Sequence, residues 1–314
     1  MSQSSPYFLS CDWGTTNFRL RLIDRDSLQI QKEHKSNQGI KSLHLAAKNS
    51  IQSQFDYFSD FIVAQLAQNF GEYSNVPLVC TGMLSSTLGL KELPYAVMPF
   101  PRSGEDLVTE EINLGNGREL LLVSGARSEL GFMRGEEVQA IGLSEKLGSE
   151  GILILPGTHS KHVSFDQEYF TEVKNFMTGE LFNVLVRHSI LSTAAQECSW
   201  DDNYRNTFLS GVSRGINEGL GSQLLTTRAK QMFKGQSTGQ GYFYLSGLII
   251  GDEISTLRTH HGHVYMASSD ATFPLYKLAL ESLISPDRLS MFENQTLRNA
   301  LFTGQRKMLH NHGW

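Results

Sequence analysis

The order of apolar and polar residues predicts a three-stranded antiparallel meander near the start of the chain. Residues 7–11 form a short apolar run, and in residues 18–23 apolar side chains alternate with arginines, a period of two that is typical of a β-strand. A polar turn at residues 24–27 leads into a third extended segment, residues 28–34. In residues 51–70 the apolar positions recur every three or four residues, which predicts an amphipathic helix.

The same order of predicted elements returns in the second half of the chain. Residues 151–155, 161–165 and 169–173 are predicted strands. A helix follows, with Thr178 as a candidate cap and an apolar face along residues 181–191. The order strand, Gly-Thr turn, strand, turn, strand, helix therefore occurs twice. This repetition predicts a duplicated domain with a cleft between its two copies.

Further predicted elements complete the two halves. Residues 78–80, 120–123 and 264–267 are predicted strands, and most of the chain beyond residue 200 is predicted to be helical. A chain of 314 residues exceeds what one hydrophobic core usually organises. We therefore expect an N-terminal lobe at residues 1–148 and a C-terminal lobe at residues 149–314. Because no Pro-rich or Ser-rich linker separates them, the boundary rests on the pattern alone.

Composition and charge narrow the class of protein without naming a function. Hydrophobic residues make up 40% and charged residues 19% of the sequence, as in ordinary globular proteins. A net charge of -5 and the lack of any run of Lys or Arg argue against a nucleic-acid partner. The sequence has three scattered cysteines, no secretory signal and no apolar stretch near the ~18 residues of a membrane span. We expect a cytoplasmic protein that does not bind membranes; its oligomeric state stays open, with a homodimer as one option.

The turn at residues 12–17, here called the first loop, concentrates groups that can bind phosphate. Gly14 permits close backbone approach, and the hydroxyls and amides of Thr15 and Thr16, followed by Asn17, can donate to phosphate oxygens. Asp12 can hold a hydrated magnesium ion. A plain hairpin turn is the alternative, since all of these residue types are common turn formers.

The turn at residues 157–161, here called the second loop, takes the equivalent place in the second half. Gly157 and Thr158 repeat the Gly-Thr pair, and Lys161 adds a cation at the start of the next predicted strand. Two loops of the same chemistry at equivalent places favour phosphate binding over coincidence. The alternative is again a hairpin, with Lys161 as a solvated strand residue and His159 as a surface histidine.

Several short motifs follow one another in order over nearly the whole chain. They are Asp12-Trp-Gly-Thr-Thr-Asn, Thr81-Gly82-Met83, Pro94-Tyr95, Met133-Arg-Gly-Glu-Glu, Pro156-Gly-Thr-His-Ser-Lys, Met177-Thr-Gly-Glu-Leu and Leu245-Ser246-Gly247-Leu248-Ile249-Ile250-Gly251. Single motifs are weak evidence, but this ordered set resembles the 2-dehydro-3-deoxygalactonokinase family. The resemblance implies an α/β protein with a duplicated ribonuclease-H-like fold of the actin and hexokinase type, with mixed sheets and an interlobe cleft. It also implies phosphoryl transfer from ATP to the terminal (6-) hydroxyl of 2-dehydro-3-deoxy-D-galactonate.

The resemblance also implies roles for particular residues. It makes the first and second loops the two phosphate motifs, and it calls for a general base at a helix start shortly before the second loop. Glu136 stands 21 residues before Gly157 in that place, with Glu137 beside it. Related kinases usually carry Asp there, so either glutamate fits. The alternative is a first-turn glutamate pair that stabilises the helix dipole by about 0.3–1 kcal/mol.

Arg134 is a candidate for binding the substrate carboxylate, because a planar guanidinium can donate two parallel hydrogen bonds to it. A structural salt bridge is the alternative. The other candidate substrate residues follow a predicted strand or begin a predicted helix, and they are Thr81, Gly82, Met83, Ser85, Thr178 and Glu180. A helix cap is the alternative for the hydroxyl-bearing residues among them.

The resemblance places the adenosine site at a glycine-rich turn after a late strand. In this sequence that place holds Ala267, Ser268 and Ser269 in place of glycines. The departure keeps a second interpretation open, a sugar-binding or regulatory protein that has the fold without the turnover. A kinase for another sugar or for a polyol is a third.

Overall fold

The computed structural model describes residues 5–115 and 117–314. The strands are β1 (Tyr7–Trp13), β2 (Phe18–Asp24), β3 (Ile30–Ser36), β4 (Leu78–Gly82), β5 (Ala96–Val97), β6 (Phe100–Pro101), β7 (Thr109–Asn113), β8 (Glu119–Val123), β9 (Ala126–Arg127), β10 (Phe132–Met133), β11 (Gly151–Leu155), β12 (Ser160–Phe165), β13 (Tyr169–Phe176), β14 (His263–Ala267) and β15 (Leu289–Phe292). The helices are α1 (Ile40–Lys48), α2 (Gln54–Phe70), α3 (Glu136–Leu143), α4 (Thr178–His188), α5 (Arg205–Glu218), α6 (Leu224–Lys234), α7 (Thr238–Ile254), α8 (Phe273–Glu281) and α9 (Asn294–Asn311).

The chain divides into two compact units. The first unit comprises Met1–Ser149, Phe165–Val173 and Gln295–Trp314, and the second comprises Glu150–Ser164 and Lys174–Asn294. The first change of unit falls next to the expected boundary of 148 and 149, but the unit assignment of the C-terminal helix differs from the expectation. That residues 1–148 and 149–314 form two separate domains stays a prediction.

Helix α9 groups with the first unit because glycines let it approach α3 closely. A Cβ added at Gly142 would lie 1.8 Å from the carbonyl oxygen of Ala300, and one at Gly304 would lie 2.0 Å from that of Val138. Such an approach is open only to residues without a side chain. A contact between residues so distant in the chain leaves no local periodicity, so the pattern of the sequence could not reveal it.

The first unit contains a six-stranded sheet in the order β3-β2-β1-β4-β8-β7. β1, β2 and β3 form an antiparallel meander, whereas β4 runs parallel to β1 and β8 parallel to β4. Helices α1 and α2 contribute Ile40, Phe58 and Ile62 to the core that covers this sheet. The register pairs Asp12 with Thr81 and so brings the carboxyl ends of β1 and β4 side by side. The unit also holds a small sheet in the order β10-β9-β5. It further holds β6 and the first part of β13, which pair with each other, while the last residues of β13 belong to the second unit.

The second unit repeats the arrangement. Its strands follow the order β15-β14-β11-β12-β13, which matches β8-β4-β1-β2-β3 strand for strand, and β14 runs parallel to both β11 and β15. A meander of three strands followed by two parallel strands is the ribonuclease-H-like arrangement, and it occurs here twice. The fold is therefore the duplicated fold that the motifs implied, with the sheets of mixed direction.

Helix α7 crosses α5 at close range in the second unit. A Cβ at Gly247 would lie 2.1 Å from the carbonyl oxygen of Phe208, and one at Gly251 would lie 2.3 Å from that of Val212. Both glycines belong to the motif at residues 245–251, so the close packing of α7 against α5 accounts for the glycine positions in this motif. Other residues of α7, including Tyr242 and Ile249, line the cavity described below.

Some local expectations differ from the structure. Thr178 is the first residue of α4 and does not cap it, because the N-cap residue is Met177 and, within the described part of the chain, no side chain caps this end. The sequence pattern does not predict α1, and it covers α6 and α9 only through the expectation of mostly helical structure beyond residue 200. Among the described residues, none of the helices combines the length and the apolar character that a membrane crossing requires.

Candidate active site

The first loop is a tight turn between β1 and β2 that exposes its hydroxyl groups. The amide of Gly14 donates to the carbonyl oxygen of Asn17 at 2.9 Å and closes the turn. Thr15, Thr16 and Asn17 are exposed, and the Asn17 side-chain amide donates to the Thr16 hydroxyl at 3.1 Å. The exposed end of the turn therefore presents a threonine amide and two hydroxyls, the groups that bind phosphate oxygens.

Helix α1 supports the first loop from behind. The amide of Ile40 donates to the carbonyl of Gly14 at 3.0 Å, and that of Lys41 donates to the carbonyl of Thr15 at 3.2 Å. Gly39 permits this contact, since a Cβ there would lie 2.3 Å from the Thr15 carbonyl oxygen. The loop is thus held by a helix that the sequence did not predict.

Asp12 is the penultimate residue of β1 and the first residue of the first loop. Its carboxylate accepts a hydrogen bond from Arg19 at 3.1 Å, and its side chain keeps 26% of its exposure. Among the described residues, no group of three or more His, Cys, Asp or Glu side chains is placed to hold a metal ion. One accessible carboxylate fits Mg²⁺, which usually binds through one or two carboxylates together with phosphate oxygens and water.

Thr81 and Gly82 end β4 beside the first loop, and both are buried. The Thr81 hydroxyl donates to the carbonyl of Cys11 at 3.4 Å and accepts from the Gln305 side-chain amide at 3.0 Å. Gln305 is fully buried and belongs to α9. Thr81 is therefore fixed by the protein, and sequence patterns gave no sign of its partner on the last helix.

Arg134 lies over an aromatic ring. Its guanidinium carbon lies 4.1 Å from the centre of the Tyr95 ring, and Nε donates to the Tyr95 hydroxyl at 3.3 Å. Its Nη1 donates to the hydroxyl of Ser85 at 2.6 Å and also to the Ser85 carbonyl. Met83 lies in the same turn and is half-buried. These contacts hold the guanidinium in place, which suits it to a planar carboxylate.

The two glutamates at the start of α3 lie in different environments. Glu136 is half-buried, and its carboxylate accepts from the amide of Arg134 at 3.1 Å. Glu137 is fully buried, and both of its oxygens lie near the amide of Gly135, at 2.8 and 2.7 Å. Burial, and after it the charge of Glu136, raises the pKa of the Glu137 carboxyl to about 8. At neutral pH the Glu137 carboxyl is therefore mostly protonated.

The second loop rests on the start of α4 as the first rests on α1. The amide of Glu180 donates to the carbonyl of Thr158 at 3.0 Å. A Cβ at Gly179 would lie 2.7 Å from the carbonyl oxygen of Gly157, so only glycine fits there. The side chains of His159 and Glu180 also pair with each other. Because α4 begins at this contact, its positive end faces the loop and favours an anion.

Lys161 is more buried than the sequence suggested. Its side chain is 7% exposed, and Nζ donates to the carbonyl of His159 at 2.7 Å. The lysine therefore braces the backbone of the second loop, whereas Gly157, Thr158 and His159 are exposed. Lys161 is therefore not a solvated strand residue.

A cavity of about 360 Å³ adjoins the second loop within the second unit. Gly157, Thr158 and Thr178 line its polar end. Its apolar wall comes from α4, α7 and α8, and the side chains that form it include Phe182, Tyr242, Ile249 and Leu275. A polar end beside an apolar wall suits a ligand that joins phosphates to a flat ring. The sequence pattern gives these apolar residues no part in a site.

The expected adenosine turn reaches this cavity in part. Ser269 and Thr272 line it, whereas Ala267 and Ser268 are buried within the unit. The Ser268 hydroxyl lies 2.5 Å from that of Thr272, which fixes the turn before α8. A serine and a threonine that bond each other can shape this turn without glycines.

The geometry gives each unit a separate set of groups. The first unit collects one accessible carboxylate, a hydroxyl-bearing loop, a stacked arginine and a glutamate pair. The second unit collects a second loop at a helix start and a cavity with an apolar wall. Groups of this kind can bind a nucleotide and a polar acceptor, and a half-buried glutamate can accept the proton of a hydroxyl.

Comparisons with known proteins agree with this chemistry. The family model of 2-keto-3-deoxy-galactonokinase matches residues 12–302. A probable 2-dehydro-3-deoxygalactonokinase of Rhizobium meliloti (strain 1021) is 31% identical over 289 residues, which cover 88% of this chain and 89% of that protein. A 2-dehydro-3-deoxygalactonokinase of Escherichia coli (strain K12) is 28% identical over 259 residues, which cover 82% of each.

A crystal structure gives the same result at the level of the fold. It is that of a protein from Sinorhizobium meliloti assigned as a 2-dehydro-3-deoxygalactonokinase, with a TM-score of 0.80 and 27% sequence identity. The match covers 96% of this chain and 99% of the other. Since the family model spans nearly all of the sequence and the relatives align over most of their length, the chain belongs to the 2-keto-3-deoxy-galactonokinase family and is a phosphotransferase.

Proposed function

We propose that the chain transfers the γ-phosphoryl group of ATP to the terminal (6-) hydroxyl of 2-dehydro-3-deoxy-D-galactonate, giving 2-dehydro-3-deoxy-6-phosphogalactonate and ADP. The observation that carries the proposal is the family match over residues 12–302, which includes both loops, Arg134 and the glutamate pair. The names of the relatives supply the substrate. The arrangement of the site residues supports the roles that follow.

The two loops are proposed to bind the phosphates of ATP. In the first loop, Thr15, Thr16 and Asn17 are exposed and can donate from amide and hydroxyl groups, while Gly14 closes the turn and permits close approach of a phosphate. In the second loop, Gly157 and Thr158 lie at the positive end of α4 beside the cavity, whose apolar wall suits adenine. A magnesium ion bound through Asp12 would neutralise charge on the phosphates.

Glu136 is proposed as the general base, in preference to Glu137. A base must be ionised and reachable by the hydroxyl that it deprotonates. The Glu137 carboxyl has a pKa raised to about 8, chiefly by burial, and it is fully enclosed and bonded to Gly135. Glu136 is half-buried and keeps a more accessible carboxylate. Glu137 is then a support for the turn at Gly135.

Arg134 is proposed to bind the carboxylate of the sugar acid, with Thr81, Gly82, Met83 and Ser85 nearby. Ser85 and Tyr95 already fix the plane of its guanidinium. Thr178 and Glu180, candidate substrate residues that could reach either substrate, are next to the second loop. We propose them for the phosphate side. The cytoplasmic location and the homodimer stay predictions.

The direct test measures ADP release with 2-dehydro-3-deoxy-D-galactonate, aldonates, free hexoses and polyols as acceptors. A response confined to the 2-oxo-3-deoxy acid is expected, and no stimulation by any acid would sink the proposal. E136Q should bind ADP as the wild type does and lose about 10²- to 10⁴-fold in kcat. Full activity of E136Q would remove this residue from the role of base.

The variant R134A tests the carboxylate partner. Loss of the charge-assisted contact between the Arg134 guanidinium and the carboxylate should raise the KM for the sugar acid by about tenfold or more. The KM for ATP should stay unchanged, because the proposed contact is to the acceptor alone. An equal rise of both KM values would show instead that Arg134 maintains the fold of this region through Ser85 and Tyr95.

A further inference from the structure

A buried cluster of polar side chains surrounds Glu253 at the end of α7, beside the cavity of the second unit. Glu253 is 2% exposed. Its Oε1 lies 3.0 Å from Nε2 of His162, and its Oε2 accepts a hydrogen bond of 2.6 Å from the Tyr276 hydroxyl. The Thr178 hydroxyl donates to the same Oε2. The side chains of His162 and Tyr276 are themselves at most 5% exposed.

The carboxylate fixes the direction of the hydrogen bonds around it. An ionised carboxylate only accepts, so Tyr276, Thr178 and Nε2–H of His162 must all donate to it. Burial, and after it the charge of Glu253, raises the pKa of the Tyr276 hydroxyl well above its ordinary value, so this hydroxyl keeps its proton. Burying a carboxylate is costly unless donors such as these compensate it.

The hydrogen bonds continue from Tyr276 to the second loop. Since the Tyr276 hydroxyl gives its proton to Glu253, its oxygen accepts from the Ser160 hydroxyl, 3.0 Å away. The oxygen of Ser160, which is fully buried, then accepts from the amide of Gly157 at 3.4 Å. Every donor in this series therefore points toward Glu253, and the series ends on the backbone of the second loop.

The second branch of the cluster ends at the helix start on which that loop rests. Thr178 is the first residue of α4, and the next residue, Gly179, packs against the loop backbone. Gly157, Thr178 and Tyr276 all line the cavity. Glu253 itself does not line it. One buried carboxylate thus tethers both the loop and the helix that supports it.

We propose that Glu253 is a positioning residue for nucleotide binding, which holds the second loop and the start of α4 in the orientation that receives the phosphates of ATP. The inference rests on the proposed function of the second loop. With the amide of Gly157 tied inward, the amides and hydroxyl at the exposed tip, Thr158 and His159, are turned outward to the ligand. Glu253 acts through Tyr276, Ser160 and Thr178 and does not touch the nucleotide.

The test compares E253Q, Y276F and S160A with wild type by steady-state kinetics and by calorimetric titration with ADP. Y276F is the sharpest variant, because it keeps the ring and removes only the hydroxyl that joins Glu253 to Ser160. Y244F is its matched control. Tyr244 lies on α7 and, like Tyr276, is buried. Its hydroxyl has no hydrogen-bond partner among the residues that the structure describes.

Loss of a charge-assisted contact should raise the KM for ATP and the Kd for ADP about ten- to a hundredfold in Y276F and E253Q. The KM for the sugar acid should stay within about twofold, a separation that general loss of structure would not produce. S160A should shift the same two constants in the same direction. Y244F should behave as wild type.

Two results would overturn the inference, and they differ from each other. If the wild type binds ADP and phosphorylates the acid, and Y276F matches Y244F in both constants, Glu253 has no positioning role and only this inference fails. If the wild type neither binds ADP nor consumes ATP, the proposed function fails and this inference falls with it. Should E253Q not fold, Y276F and S160A still decide.

Discussion

Replacing Glu137 with glutamine should remove a pH-dependent loss of stability that the buried carboxyl imposes on the protein. The carboxyl has a pKa of about 8 in the folded protein, against 4.5 in its ordinary state, and the causes are burial first and the charge of Glu136 second. Between these two values the folded protein binds more protons than the unfolded chain. The stabilising contribution of the protonated group is complete below about pH 4.5 and is lost as the pH rises through 8.

The size of the effect follows from the shift. The difference between about 8 and 4.5 is about 3.5 pKa units, and at about 1.4 kcal/mol per unit the free energy of unfolding would fall by at most about 5 kcal/mol over this interval. The amide of E137Q is neutral at every pH and has nearly the same shape. The free energy of unfolding of E137Q should therefore not fall over this pH interval. Any cost of the substitution itself is the same at every pH.

Urea unfolding of wild type and E137Q at half-unit steps from pH 5 to pH 8 measures the effect. The free energy of E137Q minus that of wild type should grow by several kcal/mol as the pH rises. E105Q, at an exposed glutamate of the same unit, is the control for loss of one surface carboxylate. A difference that stays constant from pH 5 to pH 8 would show that Glu137 is ionised in the folded protein and would refute the reasoning.

Two further predictions concern the glycines beneath the loops. G179A should raise the KM for ATP about tenfold or more, because the added Cβ would lie 2.7 Å from the Gly157 carbonyl oxygen. G221A is its control and should leave this KM unchanged, because no described atom lies within 4 Å of the Cβ added there. G39A should raise the KM for ATP in the same way as G179A through the first loop, where its Cβ would lie 2.3 Å from a backbone oxygen, with G71A as the control in open space. Equal KM values for a variant and its control would contradict either prediction.

The order of the elements was predictable because it depends on local periodicity. The alternation in residues 18–23 belongs to β2, which pairs with the strand directly before it in the chain. The meander of the second half is built from consecutive strands in the same way. The two sheets follow from these meanders once they are recognised as copies. Helix α9 was not predictable in this way, since its place in the first unit depends on Gly142 and Gly304, far apart in the chain.

The features of the candidate site also separate into those that consecutive residues reveal and those that depend on contacts between distant residues. The loops at Gly14 and Gly157 could be found because turn chemistry is written in consecutive residues. The apolar wall of the cavity could not be found, because Phe182 and Tyr242 look like ordinary core residues until three helices bring them together. Gln305 and Glu253 were missed for a related reason, since a buried polar side chain is recognised only by its partners.

The duplication explains why each loop has a glycine at the start of a later helix. In the first copy the amide of Lys41 donates to the loop at 3.2 Å, and in the second copy the amide of Glu180 does so at 3.0 Å. Gly39 and Gly179 stand at the equivalent helix starts, where a Cβ would collide with the loop backbone in both copies. A turn rich in Gly and Thr has little core of its own to hold it, so a helix end that approaches without a side chain is what can fix its shape. A sequence search for this fold should therefore pair each Gly-Thr turn with a glycine within two residues of the start of the helix after the third strand.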